Sequence, residues 1–162
     1  MIDGYPRVLS TVAAVGAGLS AGVFFAFSSF VMQALGRLPA PQGIAAMQSI
    51  NRQAPTPLFM TALFGTAAVC VAAAVSALVR GAEPWTAYVL AASALYLAAI
   101  LLTVVYHVPR NDALALVDPH GPAAADAWRT YRSGWTAWNH VRTLSSLASA
   151  IAFTLSLRVG KG

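Results

Sequence analysis

Long apolar runs broken by short polar stretches dominate this chain. Four of them are long enough to cross a bilayer as helices, at roughly residues 8–35, 57–79, 85–108 and 138–157. The pattern predicts an all-α protein, a bundle of four transmembrane helices with a short interfacial helix after the first span. That extra helix comes from the connection between Leu38 and Pro57. Pro39, Pro41, Pro55 and Pro57 punctuate its ends, and Ile44, Met47 and Ile50 recur at helical spacing between them. Asn51 and Arg52 close it just before the second span.

Within each span the small and polar residues select a face. In the first, Thr11, Ala14, Gly18, Gly22, Phe25, Ser29 and Met32 share one side, where Gly18 and Gly22 let helices approach closely. Phe25 is that face's candidate for substrate contact. In the second, Thr61, Gly65, Ala68, Ala72 and Ser76 form a similar packing stripe. Both stripes can be satisfied within one chain or by a homo-oligomer. In the third, Ser93, Tyr96, Ile100, Thr103 and His107 line up, and polar groups on a membrane helix look inward. Pro109 is expected to break that helix, leaving His107 at the mouth of the bundle, with Asn111 extending the stripe if the helix survives. The last helix carries Trp128, Tyr131, Trp135, Trp138, Arg142, Ser145, Ser149, Ala152 and Ser156 on one face: aromatic first, small later, one arginine between. Gly134 marks a bend or a close approach.

Composition strengthens the membrane reading. Of 162 residues, 58% are hydrophobic and only 9% charged, against about 25% charged in soluble domains. The expectation is a single multi-pass domain over residues 1–162, in the cell membrane. Ten basic residues against five acidic give a net charge of +5. In lipid, that excess suits interfacial anchoring and anionic headgroups. No basic run or recognised module points to nucleic acid. A lone cysteine, Cys70, can form no internal disulfide and argues against enzymes that pass electrons through cysteine pairs.

Four spans place both long connections at one end of the bundle. There His107, His140, Asn51, Arg52, Asn111, Asp112, Trp138, Asn139 and Arg142 gather. Carboxylate-bridged di-iron chemistry needs several glutamates, and the chain has only Glu83. A thiolate metal site needs more cysteines. His107 and His140 leave haem or copper as an alternative, although on a straight helix His140 lies opposite Arg142, beside Leu144, Leu147 and Ile151. No nucleophile stands beside a base and acid pair. Proton transfer suits these residues better: a histidine removes a proton, an arginine holds the resulting anion, and Trp128, Tyr131, Trp135 and Trp138 offer flat faces to an aromatic molecule.

The string WTAWNHVRTLSSLA, Trp135 to Ala148, resembles the last-span signature of the anthrone oxygenase-like family of small membrane proteins. GLSAGVFFAFSSFVM (Gly18 to Met32), QGIAAMQSIN (Gln42 to Asn51) and VPRNDALALVDP (Val108 to Pro119) support it, and the likeness covers nearly the whole chain in order and spacing. The resemblance implies a four-helix membrane protein that oxidises an anthrone to an anthraquinone with dioxygen as co-substrate and no evident bound cofactor. It implies site positions at Asn51, Asn111, Trp138, Asn139, His140 and Arg142. The family often has asparagine where His107 stands, and proline-leucine-asparagine where this chain has Pro109-Arg110-Asn111. Combined with the reading of the residues, the expected catalytic set is His140, Arg142, His107, Asn139 and Asn111. The substrate-binding set is Trp138, Trp135, Tyr131, Asn51, Arg52 and Phe25, with no metal site. The rival is a non-catalytic membrane protein that binds haem, quinone or lipid, or that serves assembly.

Overall fold

A computed structural model describes residues 4–159; the three residues at each end of the expected single domain lie outside it. All regular structure among the described residues is helical. Three helices, α1 (Tyr5–Arg37), α3 (Pro57–Arg80) and α4 (Thr86–Ala115), are long and apolar enough to cross a membrane. Between the first two lies α2 (Ala40–Gln53). The last described helix is the 33-residue α5 (Ala124–Ser156). The long helices run alternately up and down, α5 packing chiefly on α1 and α4.

The bundle differs from a soluble protein in having an apolar outside, with polar groups gathered within. Outer positions carry exposed Val15, Leu19, Val75, Leu101, Leu144 and Ile151, while Ser93, Asn139, Arg142, Ser146, Ser149 and Ser156 are buried. Inward polarity with outward apolarity is what a hydrocarbon surround selects. It also helps explain why α5 falls short of the other three in apolarity: beyond Trp135 its buried positions are Asn139, Arg142, Thr143, Ser146, Ser149 and Ser156, with Phe153 among them. Ser149 donates to the Ala92 carbonyl at 2.7 Å and Ser145 to the Leu95 carbonyl at 3.2 Å, stitching α5 to α4. Ser20 and the Tyr96 hydroxyl, 2.8 Å apart, join α1 to α4.

Two expected packing faces are corrected. Gly18 and Gly22 point outward with no neighbour near a hypothetical Cβ, whereas a Cβ on Gly16 would collide with the Thr66 side chain of α3. The buried stripe of α1 runs through Ser10, Ala13, Ala17, Phe24 and Ser28. In α3, Thr61, Ala68 and Ala72 are exposed, and Leu63, Thr66, Cys70, Ala73 and Ala77 face inward. Gly16→Ala should therefore cost about 1–2 kcal/mol through overpacking. Gly18→Ala and Gly22→Ala should be neutral or gain up to about 1 kcal/mol of helix propensity. Thermal unfolding of the three variants in detergent checks the contrast.

Pro109 does not break α4. The helix passes through it by widening into a π turn at Thr103–His107, where the Val108 N–H donates to the Thr103 carbonyl. Proline lacks the N–H and crowds the carbonyl four residues back, and the wider turn relieves both demands. Two further π turns, Phe27–Val31 in α1 and Thr61–Gly65 in α3, lie in the long helices. The expected short helix after the first span is α2, which packs on the end of α1, the end of α4 and the start of α5. Gly43 makes this possible, since a Cβ there would lie 2.9 Å from the Trp128 indole.

The core divides in two. One apolar cluster joins α1, α3, α4 and α5 around Ala17, Phe24, Leu63, Tyr96 and Phe153. The other joins α2 to the ends of α1, α4 and α5 around Met32, Ile44, Met47, Trp128, Tyr131 and Trp135. The buried polar groups of highest chemical interest lie between the two.

Candidate functional site

A cavity of about 220 Å³ opens between the clusters. Its walls are mainly apolar, from Val23, Phe24 and Phe27 of α1, Met47 and Ile50 of α2, and Phe59, Leu63 and Phe64 of α3. Asn51, Thr103, His107, Asn111, Trp135 and Arg142 supply the polar edges. Each π turn contributes to the wall: Phe27 from the first, Leu63 and Phe64 from the second, Thr103 and His107 from the third. Such widened turns recur at functional sites because they re-aim side chains within an otherwise regular helix.

Arg142 is 5% exposed. Its Nη1 donates to Thr103 Oγ1 at 3.1 Å and its Nη2 to Asn139 Oδ1 at 2.6 Å. The guanidinium lies 4.3 Å from the Phe24 ring centre and 5.3 Å from that of Trp135. Its Nε has no partner. Asp112, Asp118, Asp126 and Glu83 are all exposed, and among the described residues no carboxylate pairs with Arg142. Aromatic faces offset part of the desolvation of such a cation, but a buried charge without a counter-ion remains costly.

Asn139, fully buried, holds the arginine in place. Its Nδ2 donates to the Phe24 carbonyl and to Ser28 Oγ, both at 2.7 Å, which turns its oxygen toward Arg142. Ser28 in turn lies 3.2 Å from Thr143 Oγ1. Asn111 is oriented by similar logic. Its Oδ1 accepts from the Tyr131 hydroxyl at 2.9 Å and from Trp135 Nε1 at 3.0 Å. An indole nitrogen can only donate, so the amide oxygen is committed and the NH₂ group is left to donate elsewhere. Burial raises the Tyr131 phenol above its ordinary pKa, which keeps it protonated as a donor. Asn51 lies beside that hydroxyl, yet its amide nitrogen has no hydrogen-bond partner. The amides and the guanidinium at the cavity thus present donors.

His107 is 1% exposed and is the one imidazole lining the cavity among the described residues. Its Nδ1 lies 3.3 Å from the Leu102 carbonyl and its Nε2 3.3 Å from the Trp135 carbonyl. A neutral imidazole carries one N–H, so only one of these contacts is a hydrogen bond and the other nitrogen keeps its lone pair. The ring also packs edge-on against Trp135, with centres 5.1 Å apart.

The structure thus brings His107, Arg142, Asn111, Asn51 and Trp135 to one cavity, with Asn139 and Tyr131 directly behind. It separates the rest of the expected set. His140 is exposed and lines an outer groove with Gln33 and Arg132, because it lies 200° around the helix from Arg142 at 100° per residue. The expectation that His107 and His140 share a vestibule, or bracket a haem or copper, is corrected accordingly. Trp138 is 44% exposed and packs outside against Tyr106, with centres 5.4 Å apart. Phe25 is 59% exposed, and Arg52 is exposed and does not line the cavity. Gly134 is a close approach and no bend: a Cβ there would meet the Tyr106 hydroxyl at 2.8 Å.

Sequence reasoning missed Phe24, Phe27 and Ser28 at the site. Phe24 was within reach: stepping three or four residues at a time from Ser10 leads to Ala13, Ala17, Ser20 and Phe24. Nothing in the sequence marks the π turn that carries Phe27.

The family model described as anthrone oxygenase matches residues 57–152. The match includes His107, Asn111, Trp135, Asn139 and Arg142, and begins after Phe25, Asn51 and Arg52. No curated protein and no solved structure matches the chain. With more than half of its length matched, and the polar cavity residues of α4 and α5 inside the match, the chain belongs to the anthrone oxygenase family.

Proposed function

We propose that this protein oxidises a small, flat phenolic or anthrone-like molecule with dioxygen, in the cavity beside Arg142, as a multi-pass protein of the cell membrane. The observation that carries this reading is the buried guanidinium without a carboxylate partner, facing an apolar cavity whose amides offer donors. Such a site suits a ligand that becomes an anion while reacting.

An anthrone has an acidic CH₂ group opposite its ring carbonyl. Loss of one proton from that carbon gives an enolate whose charge rests on the former carbonyl oxygen. Arg142 would receive that oxygen, helped by the NH₂ groups of Asn111 and Asn51. His107 would be the base, its ring turning so that the nitrogen that keeps its lone pair leaves the carbonyl beside it and meets the substrate carbon. The ring of the substrate would lie against Phe24, Phe27 and Trp135.

The electron-rich enolate passes one electron to dioxygen, and the resulting radical and superoxide join at the carbon that lost its proton. With a proton returned, this is a hydroperoxide. Loss of its remaining C–H proton and cleavage of the O–O bond leave a second carbonyl and release water. Anthrone plus dioxygen becomes anthraquinone plus water, with no external reductant. His107 would return the proton taken in the first step. Exclusion of bulk water by the apolar wall makes each donor at the enolate oxygen count for more.

The test is purified protein with an anthrone in air-saturated buffer, followed by oxygen uptake and quinone absorbance. The expected result is one dioxygen consumed per quinone formed, at a rate well above that without protein. Saturable binding of the anthrone with no gain in rate would instead make the protein a carrier of such molecules. Neither binding nor rate gain would remove this reading.

A further inference from the structure

We infer that the outer groove between the C-terminal turns of α1 and the upper part of α5 holds the phosphate of an anionic phospholipid. The groove has a volume of about 400 Å³ and is lined by Met32 and Gln33 of α1 and by Arg132, Ser133, Thr136, Ala137 and His140 of α5. Arg132, Thr136 and His140 follow one another at four-residue spacing, so one face of α5 presents a guanidinium, a hydroxyl and an imidazole in line. Among the described residues no acid lines the groove.

Two independent details show that this face is built. First, the guanidinium of Arg132 lies directly over Gly36, where any Cβ would collide with it. A glycine in the last turn of α1 is therefore what lets that charge settle against the helix. Among the described residues Arg132 has no ion-pair partner, whereas Arg129 pairs with Asp126. Second, the Thr136 hydroxyl is enclosed and has no hydrogen-bond partner. Rotation about the Cα–Cβ bond of Thr136 would bring that hydroxyl to the groove beside an unneutralised guanidinium, where a phosphate oxygen supplies the acceptor that both lack.

The level of the groove selects a lipid as the source of that phosphate. Directly below it the outer surface turns apolar, with Phe30 of α1 and Val141, Leu144, Leu147 and Ile151 of α5 all exposed. Acyl chains would run down that surface while the headgroup stays at the groove. Basic pockets between membrane helices recognise anionic headgroups in this way. His140 thus gains a role on the outside of the bundle, separate from the cavity.

The experiment uses the full chain purified in mild detergent and titrated with phosphatidylglycerol or phosphatidylcholine, reading bound lipids by native mass spectrometry. Phosphatidylglycerol should be retained about tenfold better than phosphatidylcholine. Arg132→Gln should remove most of that preference and Thr136→Val should weaken it severalfold, both without altering anthrone turnover. Inorganic phosphate at the same concentration should fail to displace the lipid. Equal retention of both lipids, or a preference untouched by both variants, overturns the proposal. Displacement by inorganic phosphate also overturns it, in favour of a free-anion site. Should Arg132→Gln fail to fold, Thr136→Val carries the test, since it changes one hydroxyl at constant shape.

Discussion

Arg142→Met should lower anthrone oxidation by about 10²- to 10³-fold, the loss expected when the main donor to a developing oxyanion is removed. The thermal midpoint of the same variant should stay level or rise. A buried ion replaced by an apolar side chain of similar length is often neutral or stabilising by about 1–4 kcal/mol, because the cost of desolvating the charge disappears. Methionine can lie along the faces of Phe24 and Trp135 that the guanidinium now covers. Thr103 Oγ1 keeps its bond to the Ala99 carbonyl at 2.8 Å, so the principal orphan is Asn139 Oδ1, a debit of about 1–3 kcal/mol. Activity and stability should therefore part company. Paired assays of oxygen uptake and thermal unfolding in one detergent decide it. A collapse of stability would make Arg142 a structural cation, and unchanged turnover would remove it from the chemistry.

The opposite coupling is expected one helical turn earlier. Asn139→Ala should destabilise the protein by about 3–5 kcal/mol, since it leaves the Phe24 carbonyl, Ser28 Oγ and the Arg142 guanidinium without a shared partner in a dry interior. Arg142 would then be tied only through Thr103 and free to swing within the cavity. Activity should fall together with stability, and excess anthrone should restore neither. Thermal unfolding with and without substrate checks this. A variant as stable as the parent would mean that the network can be rebuilt by water.

Much of this arrangement could be read from the residues. The inner face of α4, Ser93 through His107, stood out because four polar or aromatic positions, Ser93, Tyr96, Thr103 and His107, recur at helical spacing in an otherwise apolar run. Arg142 stood out as the one charge within the final apolar stretch. Its lack of a carboxylate partner was not legible: Asp112 falls at the same end of the bundle by sequence, and only the structure turns it outward. The inward faces of α1 and α3 were not legible in the same way. In lipid both sides of a helix are apolar, so hydrophobicity stops reporting which side is buried. Small residues then serve equally well inside and out, and Gly18 competes with Gly16 on even terms. In α5 the wheel placed Trp138 on the stripe, while the packed position is its neighbour Asn139. Both fit a period of 3.6, and only the partners waiting on α1, Phe24 and Ser28, separate them.

The widened turn at Thr103–His107 makes the site sensitive to chain length in a way that hydropathy does not register. Each residue added to or taken from a regular helix swings everything beyond it by about 100°. Excising one residue from this turn would let α4 close into an ordinary spiral and rotate Val108–Ala115 as a block. Asn111 would leave Tyr131 and Trp135, while Ser93 and Tyr96, upstream, would keep their places. The bundle would survive an edit of a single codon that dismantles its chemistry.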